Sequence, residues 1–183
     1  MGRRRHLARR VRHRTPRAGG GQRRPGHRLE ASVSNRRAAG GFRRRKNGRV
    51  PVRELVERFY GRLWNQVDLA VASEILHPEV SFRGSVGLAA VGRTEVCNYV
   101  TMVTTALDQY RCDVEMLIAE GAAASARVRF SGLHSGTFLG YPPTGRRVEW
   151  MGAAFFVAEQ NMLRDIWVLG DLASLRTQLD HAD

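Results

Sequence analysis

The apolar residues of this chain change their spacing near residue 110, and this change constrains the fold more than any other feature of the sequence. Before it, they recur at the three- and four-residue intervals of amphipathic helices. After it, they alternate with polar residues, as in strands with one solvated face. Helices followed by a run of antiparallel strands predict an α+β fold, in which a curved sheet wraps around the helices.

Three helices are predicted before the change. The first begins at Pro51, because a proline ring suits the first helical position. Its apolar residues fall at helical spacing: Val52, Leu55, Val56, Phe59, Tyr60, Leu63 and Trp64. The second begins with Asp68 as its N-cap and runs through Leu76, before Pro78. A short strand over residues 80–82 precedes the third helix. The apolar face of that helix consists of Val96, Tyr99, Val100, Val103 and Leu107.

Four strands are predicted after the change: one over residues 112–118, one from the turn at Glu120 and Gly121 to His134, one over 148–158 and one over 162–171. In the second, one face is predicted to be buried, and its small members leave room for a ligand. That face comprises Ala126, Val128, Phe130, Gly132 and His134. In the last strand, a single buried face is predicted to carry Leu163, Asp165, Trp167, Leu169 and Asp171. Leu172, Leu175 and Leu179 predict a short closing helix.

The segment from His134 to residue 147, HSGTFLGYPPTGRR, interrupts the alternation and predicts a shaped loop. We call it the glycine loop. Gly136, Gly140 and Gly145 permit backbone angles that other residues resist, while the two prolines between them stiffen the middle. Because the preceding strand directs His134 inward, this side chain is a candidate for the site. The alternative is that His134 only anchors the loop through a hydrogen bond.

The charge is concentrated in the first 49 residues. Of the chain's 30 basic and 17 acidic residues, residues 1–49 hold 18 basic residues and one acid, and the remainder is mildly acidic. With almost no apolar periodicity, this segment is predicted to be a disordered tail, and residues 50–183 one domain. The tail is a nucleic-acid or membrane-surface arm, a targeting segment, or an extension without a role in the domain. Nucleic acid is therefore expected as a partner only through the tail.

Cys97 and Cys112 are too few for a disulfide framework and lack metal-site spacing, so reduced thiols are expected and no metal is predicted. No apolar run approaches the roughly 18 to 20 residues that span a bilayer. The arginine-rich start also lacks the apolar core of a secretory signal. These features predict a cytoplasmic protein.

Four segments together resemble the SnoaL-like polyketide cyclase and ester cyclase family of the nuclear-transport-factor-like superfamily. They are ERFYGRLWNQVDLAVASEILHPEVSFRG from Glu57, VGRTEV from Val91, GLHSGTFLGYPPTGRRV from Gly132, and IWVLGD from Ile166. The resemblance implies a cone of strongly bent antiparallel sheet, closed by about three helices around an apolar pocket. It also implies a cofactor-free enzyme that closes a ring by intramolecular aldol chemistry on a small, carbonyl-rich, apolar ester, and pairing of two domains as a homodimer.

The resemblance assigns roles to particular residues. Asp171 matches the acid of a motif in which a tryptophan precedes an aspartate by four positions, with Trp167 as its partner, and His134 matches the histidine that opens the loop. Glu149 and Asp165 are further candidates for acid–base work. The walls of the pocket are expected to include Tyr60, Trp64, Phe130, Trp150, Phe156 and Trp167. The alternatives are an N-cap role for Asp171 and plain core packing for the aromatic residues.

The sequence also departs from the family's pattern. Related enzymes carry an acid in the middle of the strand after the loop, whereas this chain has Ala154 there, between Ala153 and Phe155. The departure keeps two functions open. One is a cyclase or related acid–base enzyme. The other is a non-catalytic domain of the same fold that binds a small ligand or dimerises.

Overall fold

The computed structural model of the protein describes residues 48–180. The predictions made for the tail, including its contact with nucleic acid, lie outside the described residues. Residues 48–180 contain no helix that is long and apolar enough to cross a membrane.

In the first half of the described chain, four helical elements are followed by two strands and a long helix. Helix α1 (Val52–Arg58) continues directly into a π-helix (Phe59–Trp64). A 3-10 turn (Leu69–Val71) leads into α2 (Ala72–Ile75). Strands β1 (Leu76–Arg83) and β2 (Ala89–Val91) precede the long helix α3 (Arg93–Ala106). The second half consists of β3 (Leu107–Glu120), β4 (Ala123–His134), β5 (Arg147–Glu159), β6 (Met162–Gly170) and α4 (Leu172–Asp180).

The six strands form one curved sheet in the order β2-β1-β6-β5-β4-β3, which confirms the predicted α+β class. Strands β3 to β6 form an antiparallel meander, as the alternating pattern predicts. Strand β1 pairs parallel to β6, so the sheet is mixed at that end. Its inner face and the helices enclose the apolar core.

The second predicted helix differs in its boundaries. It ends at Ile75, and Leu76 already belongs to β1. Asp68 precedes the 3-10 turn but makes no side-chain capping bond. Instead, its carboxylate accepts a hydrogen bond from the Nε of Arg62, 3.1 Å away, which ties this turn to the π-helix.

The predicted face of the last strand is wrong beyond Leu163. Leu163 pairs with Ala158 and Asp165 with Val157, so Arg164 is an extra residue that forms a bulge. A bulge moves every later side chain to the opposite face. Consequently Ile166 and Val168 are buried, whereas Asp165, Trp167 and Leu169 lie on the exposed outer face.

A second bulge alters β3. Val114 pairs with Val128 and Met116 with Arg127, so the alternation predicted through Ile118 breaks between Val114 and Met116. The alternation of this strand predicted that Cys112, Val114, Met116 and Ile118 share one buried face. The bulge places Met116 and Ile118 on the exposed face, and Val114, before the bulge, is exposed as well. Cys112 is buried and Cys97 partly buried, and both are free thiols.

Candidate functional site

The glycine loop is fastened at both ends by backbone hydrogen bonds. The His134 amide donates to the Arg146 carbonyl at 2.8 Å, and the Gly145 amide donates to the His134 carbonyl at 2.9 Å. Within the loop, Phe138 and Tyr141 exchange two backbone bonds around a tight turn. Its central residues, Leu139 and Gly140, have φ values of 52° and 86°, as a type I′ turn requires. The predicted shaped loop is therefore present.

The end of α3 holds the base of the loop. The amides of Ser135 and Gly136 both donate to the Ala106 carbonyl, at 3.1 and 3.0 Å. A Cβ atom at Gly136 would lie 3.0 Å from the Cα of Ala106 and 3.1 Å from the Thr105 carbonyl oxygen. The φ angle of Gly136 lies outside the left-handed range, so its conformation does not require glycine. Glycine is needed because the two backbones approach each other too closely for a Cβ atom.

His134 is completely buried, as the strand pattern predicts. Its Nδ1 lies 3.1 Å from the Thr144 hydroxyl oxygen, which also accepts a hydrogen bond from the Arg146 amide at 3.4 Å. Its Nε2 has no hydrogen-bond partner among the described residues. Burial lowers the pKa of His134 below its usual 6.5, and a hydrogen bond with the Gly136 backbone opposes this effect. The imidazole is therefore mostly neutral at pH 7, with Nδ1 next to the Thr144 hydroxyl and Nε2 buried without a partner among the described residues.

Aromatic side chains fill the space beyond His134. Its ring lies 6.4 Å from that of Phe138, which lies 6.3 Å from Trp150. Trp150 in turn packs 5.4 Å from Phe130 and 6.2 Å from Tyr110. The series continues through Trp64, which contacts Tyr110 and Phe59, to Tyr60 and Phe156. These rings form one continuous aromatic interior.

A small cavity of about 10 Å³ lies within this interior. Its lining consists of Phe59, Tyr60, Trp64, Phe82, Ser85, Tyr110, Phe130 and Val168. Such a volume holds about one water molecule. A larger ligand therefore requires movement of the surrounding side chains.

The interior contains hydrogen-bond donors without partners. Within residues 48–180, the buried side-chain atoms that lack one are Tyr60 Oη, Trp64 Nε1, His134 Nε2 and Trp150 Nε1. Indole N–H groups can only donate, and an unpaired donor costs free energy when it is buried. Oxygen acceptors such as carbonyl groups would satisfy the two indole N–H groups and the Tyr60 hydroxyl.

The other ionisable groups inside are neutral at physiological pH. Burial raises the pKa of Tyr99 to about 12 and raises those of Tyr60 and Tyr110 well above the usual value of 10. Burial likewise raises the pKa of the Cys112 thiol. The Tyr99 hydroxyl accepts a hydrogen bond from the Val86 amide at 3.4 Å. These groups can donate protons in hydrogen bonds but do not supply charge.

The candidate carboxylates lie elsewhere. Asp171 is exposed, and its Oδ1 accepts a hydrogen bond from the Ser174 amide at 3.0 Å, as an N-cap of α4 does. Glu149 is exposed on the outer face of β5, with Oε1 3.9 Å from the Nε of Arg129. Asp165 is exposed beyond the bulge of β6. Buried polar side chains in the described chain are those of Ser85, Ser131 and His134, and none of them is a carboxylate.

Ala154 lies where the family pattern places an acid. It is fully buried on the inner face of β5, between Ala126 of β4 and Val168 of β6. An acid here would reach the interior, so this alanine removes a carboxylate from the site. No three His, Cys, Asp or Glu side chains in residues 48–180 are grouped as metal ligands.

The structure brings five of the six predicted wall residues into the interior: Tyr60, Trp64, Phe130, Trp150 and Phe156. The placement of Trp167 in the wall is wrong, because it lies on the outer face with 39% of its surface exposed, under the Arg83 guanidinium at 5.0 Å. The wall predicted from the sequence did not include five residues that line the cavity, which are Phe59, Phe82, Ser85, Tyr110 and Val168. Tyr110 lies two residues before the predicted strand. Because it continues the alternation of that strand on the face of Cys112, the pattern could have identified it as an inward-facing residue.

Residues 54–179 match the model of the SnoaL-like polyketide cyclase family. A protein from Jannaschia sp. CCS1, described as a SnoaL-like polyketide cyclase, is 19% identical, with a TM-score of 0.66 over 75% of this chain and 99% of that one. TsrD from Streptomyces laurentii is 27% identical, with a TM-score of 0.63 over 70% and 93%. AclR from Streptomyces galilaeus, described as a hydroxylase, is 20% identical, with a TM-score of 0.60 over 70% and 94%. No curated protein matches the sequence.

Proposed function

Because the chain belongs to the SnoaL-like polyketide cyclase family, we propose that it binds a small, apolar, carbonyl-rich ester in its aromatic interior and closes a ring by cofactor-free aldol chemistry. The observation that carries the proposal is the set of buried polar side-chain atoms without partners among the described residues, which includes the indole donor Trp150 Nε1 and the imidazole nitrogen His134 Nε2. Carbonyl oxygens of the substrate pair with donors of this kind, and the uncharged interior suits an apolar molecule.

His134 is the proposed proton-transfer group. When Nδ1 donates its proton to the Thr144 hydroxyl, Nε2 carries a lone pair that can remove a proton from a carbon between two carbonyl groups. The resulting imidazolium returns a proton to the alkoxide that forms on ring closure. The lowered pKa keeps the resting imidazole unprotonated at pH 7, as a base must be.

Trp150 is the proposed donor to the substrate carbonyl. Its ring lies 6.3 Å from that of Phe138, which lies 6.4 Å from the ring of His134, so the two residues belong to one series of ring contacts. A donor in an interior of low polarity stabilises developing negative charge on oxygen more than water does. Asp171 and Glu149 have no part in this scheme, because both are exposed and engaged elsewhere.

The scheme is tested with an aromatic methyl ester that carries a 1,3-diketone side chain, by following its loss and the cyclic product. His134→Ala should lower kcat/KM by about 10²- to 10⁴-fold, the usual contribution of a general base. Asp171→Asn, which retains a capping side chain outside the interior, is the matched control and should retain full activity. Wild-type turnover by the His134 variant would exclude the scheme.

The second candidate is a domain that binds the same kind of molecule without converting it. Ala154 favours it, since the described interior has no carboxylate. Here the 1,3-diketone ester should raise the melting temperature of the wild type and be recovered unchanged. Product formation that depends on His134 would rule this candidate out.

We further propose that two copies pair through the outer face of the sheet. Phe155 and Trp167 lie opposite each other there with ring centroids 5.9 Å apart. Together with Val157 and Leu169 they leave 39 to 51% of their surfaces exposed. A patch of large apolar side chains on adjacent strands is typical of a protein interface.

A further inference from the structure

A cleft with two arginines lies between the glycine loop and α4, separate from the aromatic interior. It has a volume of about 380 Å³ and is lined by Arg146, Arg147, Thr177 and Gln178. We call it the arginine cleft. Both arginines are exposed. None of the ion pairs among residues 48–180 includes either of them.

The loop side of the arginine cleft has a fixed backbone. The Arg146 carbonyl accepts from the His134 amide at 2.8 Å, and its amide donates to the Thr144 hydroxyl at 3.4 Å. Arg147 begins β5 and pairs with Leu133 of β4. The backbone from which the two arginine side chains extend is therefore fixed on this side of the cleft.

The helix side is fixed as well. Gln178 accepts from the Glu149 amide at 2.9 Å and donates to the Glu149 carbonyl at 2.7 Å, which joins α4 to β5. Leu175 and Leu179 bury the inner side of the helix. The Thr177 hydroxyl donates to the Ala173 carbonyl at 3.0 Å. The cleft is thus a gap between two anchored walls.

Two carboxylates near this cleft, those of Glu149 and Asp180, contact residues that do not line it. The Glu149 carboxylate lies 3.9 Å from Arg129 on the outer face of the sheet. The Asp180 carboxylate accepts a hydrogen bond from the Tyr141 hydroxyl and so raises the pKa of Tyr141. Arg176, close enough to lower that pKa, adds a third positive charge on the helix side. The balance of charge at the cleft is positive.

We propose that the arginine cleft binds an oxyanion, the phosphate of a phosphate ester or a carboxylate. Guanidinium groups donate paired N–H bonds that match the geometry of both groups, and both arginines line the same cleft. The site does not depend on the proposed cyclase chemistry, because it uses no residue of the aromatic interior.

The test is a titration of the full chain with sodium phosphate and, separately, with sodium acetate, followed by amide chemical shifts. A local readout is needed because the basic residues of 1–49 also attract anions. Saturating shifts at residues 145–149 and 176–179 are expected, with affinity that falls as sodium chloride rises from about 20 to about 200 mM. Tighter binding of phosphate identifies a phosphate ester, and equal or tighter binding of acetate identifies a carboxylate.

The double variant Arg146→Gln, Arg147→Gln should lower the affinity that these shifts report by at least about tenfold, because charge-assisted hydrogen bonds are stronger than those between neutral groups. Arg111→Gln, an exposed arginine on β3, is the matched control and should leave them unchanged. The rest of the spectrum reports that each variant is folded. Shifts that persist in the double variant, or that are confined to residues 1–49, would overturn the proposal.

Discussion

The Nδ1 atom of His134 and the hydroxyl oxygen of Thr144 lie 3.1 Å apart, so the buried imidazole and the glycine loop hold each other in position. This contact supports the anchoring role considered from the sequence, and the role of His134 in the site stays a prediction. Its Nδ1 contacts the loop, whereas its Nε2 is buried and has no hydrogen-bond partner among the described residues.

The buried imidazole predicts a pH dependence of stability. The pKa of His134 is lower in the folded chain than its usual 6.5, so the unfolded chain binds more protons between those two values. The stability of the wild type relative to His134→Asn should be constant above about pH 6.5 and fall as the pH drops through the folded pKa. Urea unfolding of both proteins between about pH 5 and pH 8 measures this difference. If the wild type instead becomes more stable relative to His134→Asn as the pH falls, the imidazole is not buried in its neutral form.

The unpaired hydroxyl of Tyr60 predicts an unusual response to its removal. Tyr60→Phe should leave the free energy of unfolding unchanged or raise it by up to about 1 kcal/mol, because no protein hydrogen bond is lost. Tyr99→Phe is the matched variant. It loses the bond from the Val86 amide and should cost about 1 kcal/mol. If Tyr60→Phe is the more costly change in urea unfolding, the hydroxyl has a partner that the protein does not supply.

The cap of α4 predicts a loss of stability without a loss of activity. Asp171→Ala removes the acceptor of the Ser174 amide and should lower the free energy of unfolding by about 0.5 to 2 kcal/mol. Asp171→Asn, which retains a capping oxygen, should cost less. Turnover of the 1,3-diketone ester should be the same in both variants. A loss of turnover in the folded asparagine variant would restore Asp171 as a catalytic candidate.

The exposed rings of the outer face predict the effect of polar substitution on assembly. The double variant Phe155→Ser, Trp167→Ser should elute as a single chain in size-exclusion chromatography with light scattering, whereas the wild type should have twice that mass. Val91→Ser removes another exposed apolar side chain, on β2, and should remain dimeric. A wild type that is monomeric at every concentration would exclude pairing through this face.

Two glycines predict opposite effects of an added methyl group. Gly136→Ala should destabilise the fold by about 1 to 3 kcal/mol, because the new atom would meet the backbone of Thr105 and Ala106. Gly61→Ala adds a methyl in open space on a helical segment and should stabilise it by about 0.5 to 1 kcal/mol. Thermal unfolding of the two variants provides the comparison. Equal effects would contradict the close approach of α3 to the loop.

The sequence by itself determined the kinds of element and the buried face of β4. The helical and alternating spacings predict α1, α3 and the strands β3 to β6, and strict alternation directs Phe130 and His134 inward. Its turn chemistry also determined the glycine loop, since Gly140 and Gly145 do adopt positive φ values. These features depend on local sterics and on a two-residue period, which neighbouring residues are sufficient to reveal.

Only the tertiary structure decided which residues of β6 face the interior. Its apolar residues stand on both faces, with Ile166 and Val168 on one and Trp167 and Leu169 on the other, so spacing alone could not choose between them. The choice rests on the bulge at Arg164, whose position is set by pairing with β5. The same holds for the interior as a whole. Strands distant in sequence must pack before it is decided that Tyr110 lines the cavity while Asp171 and Glu149 remain outside, because burial is a property of the assembled sheet and helices.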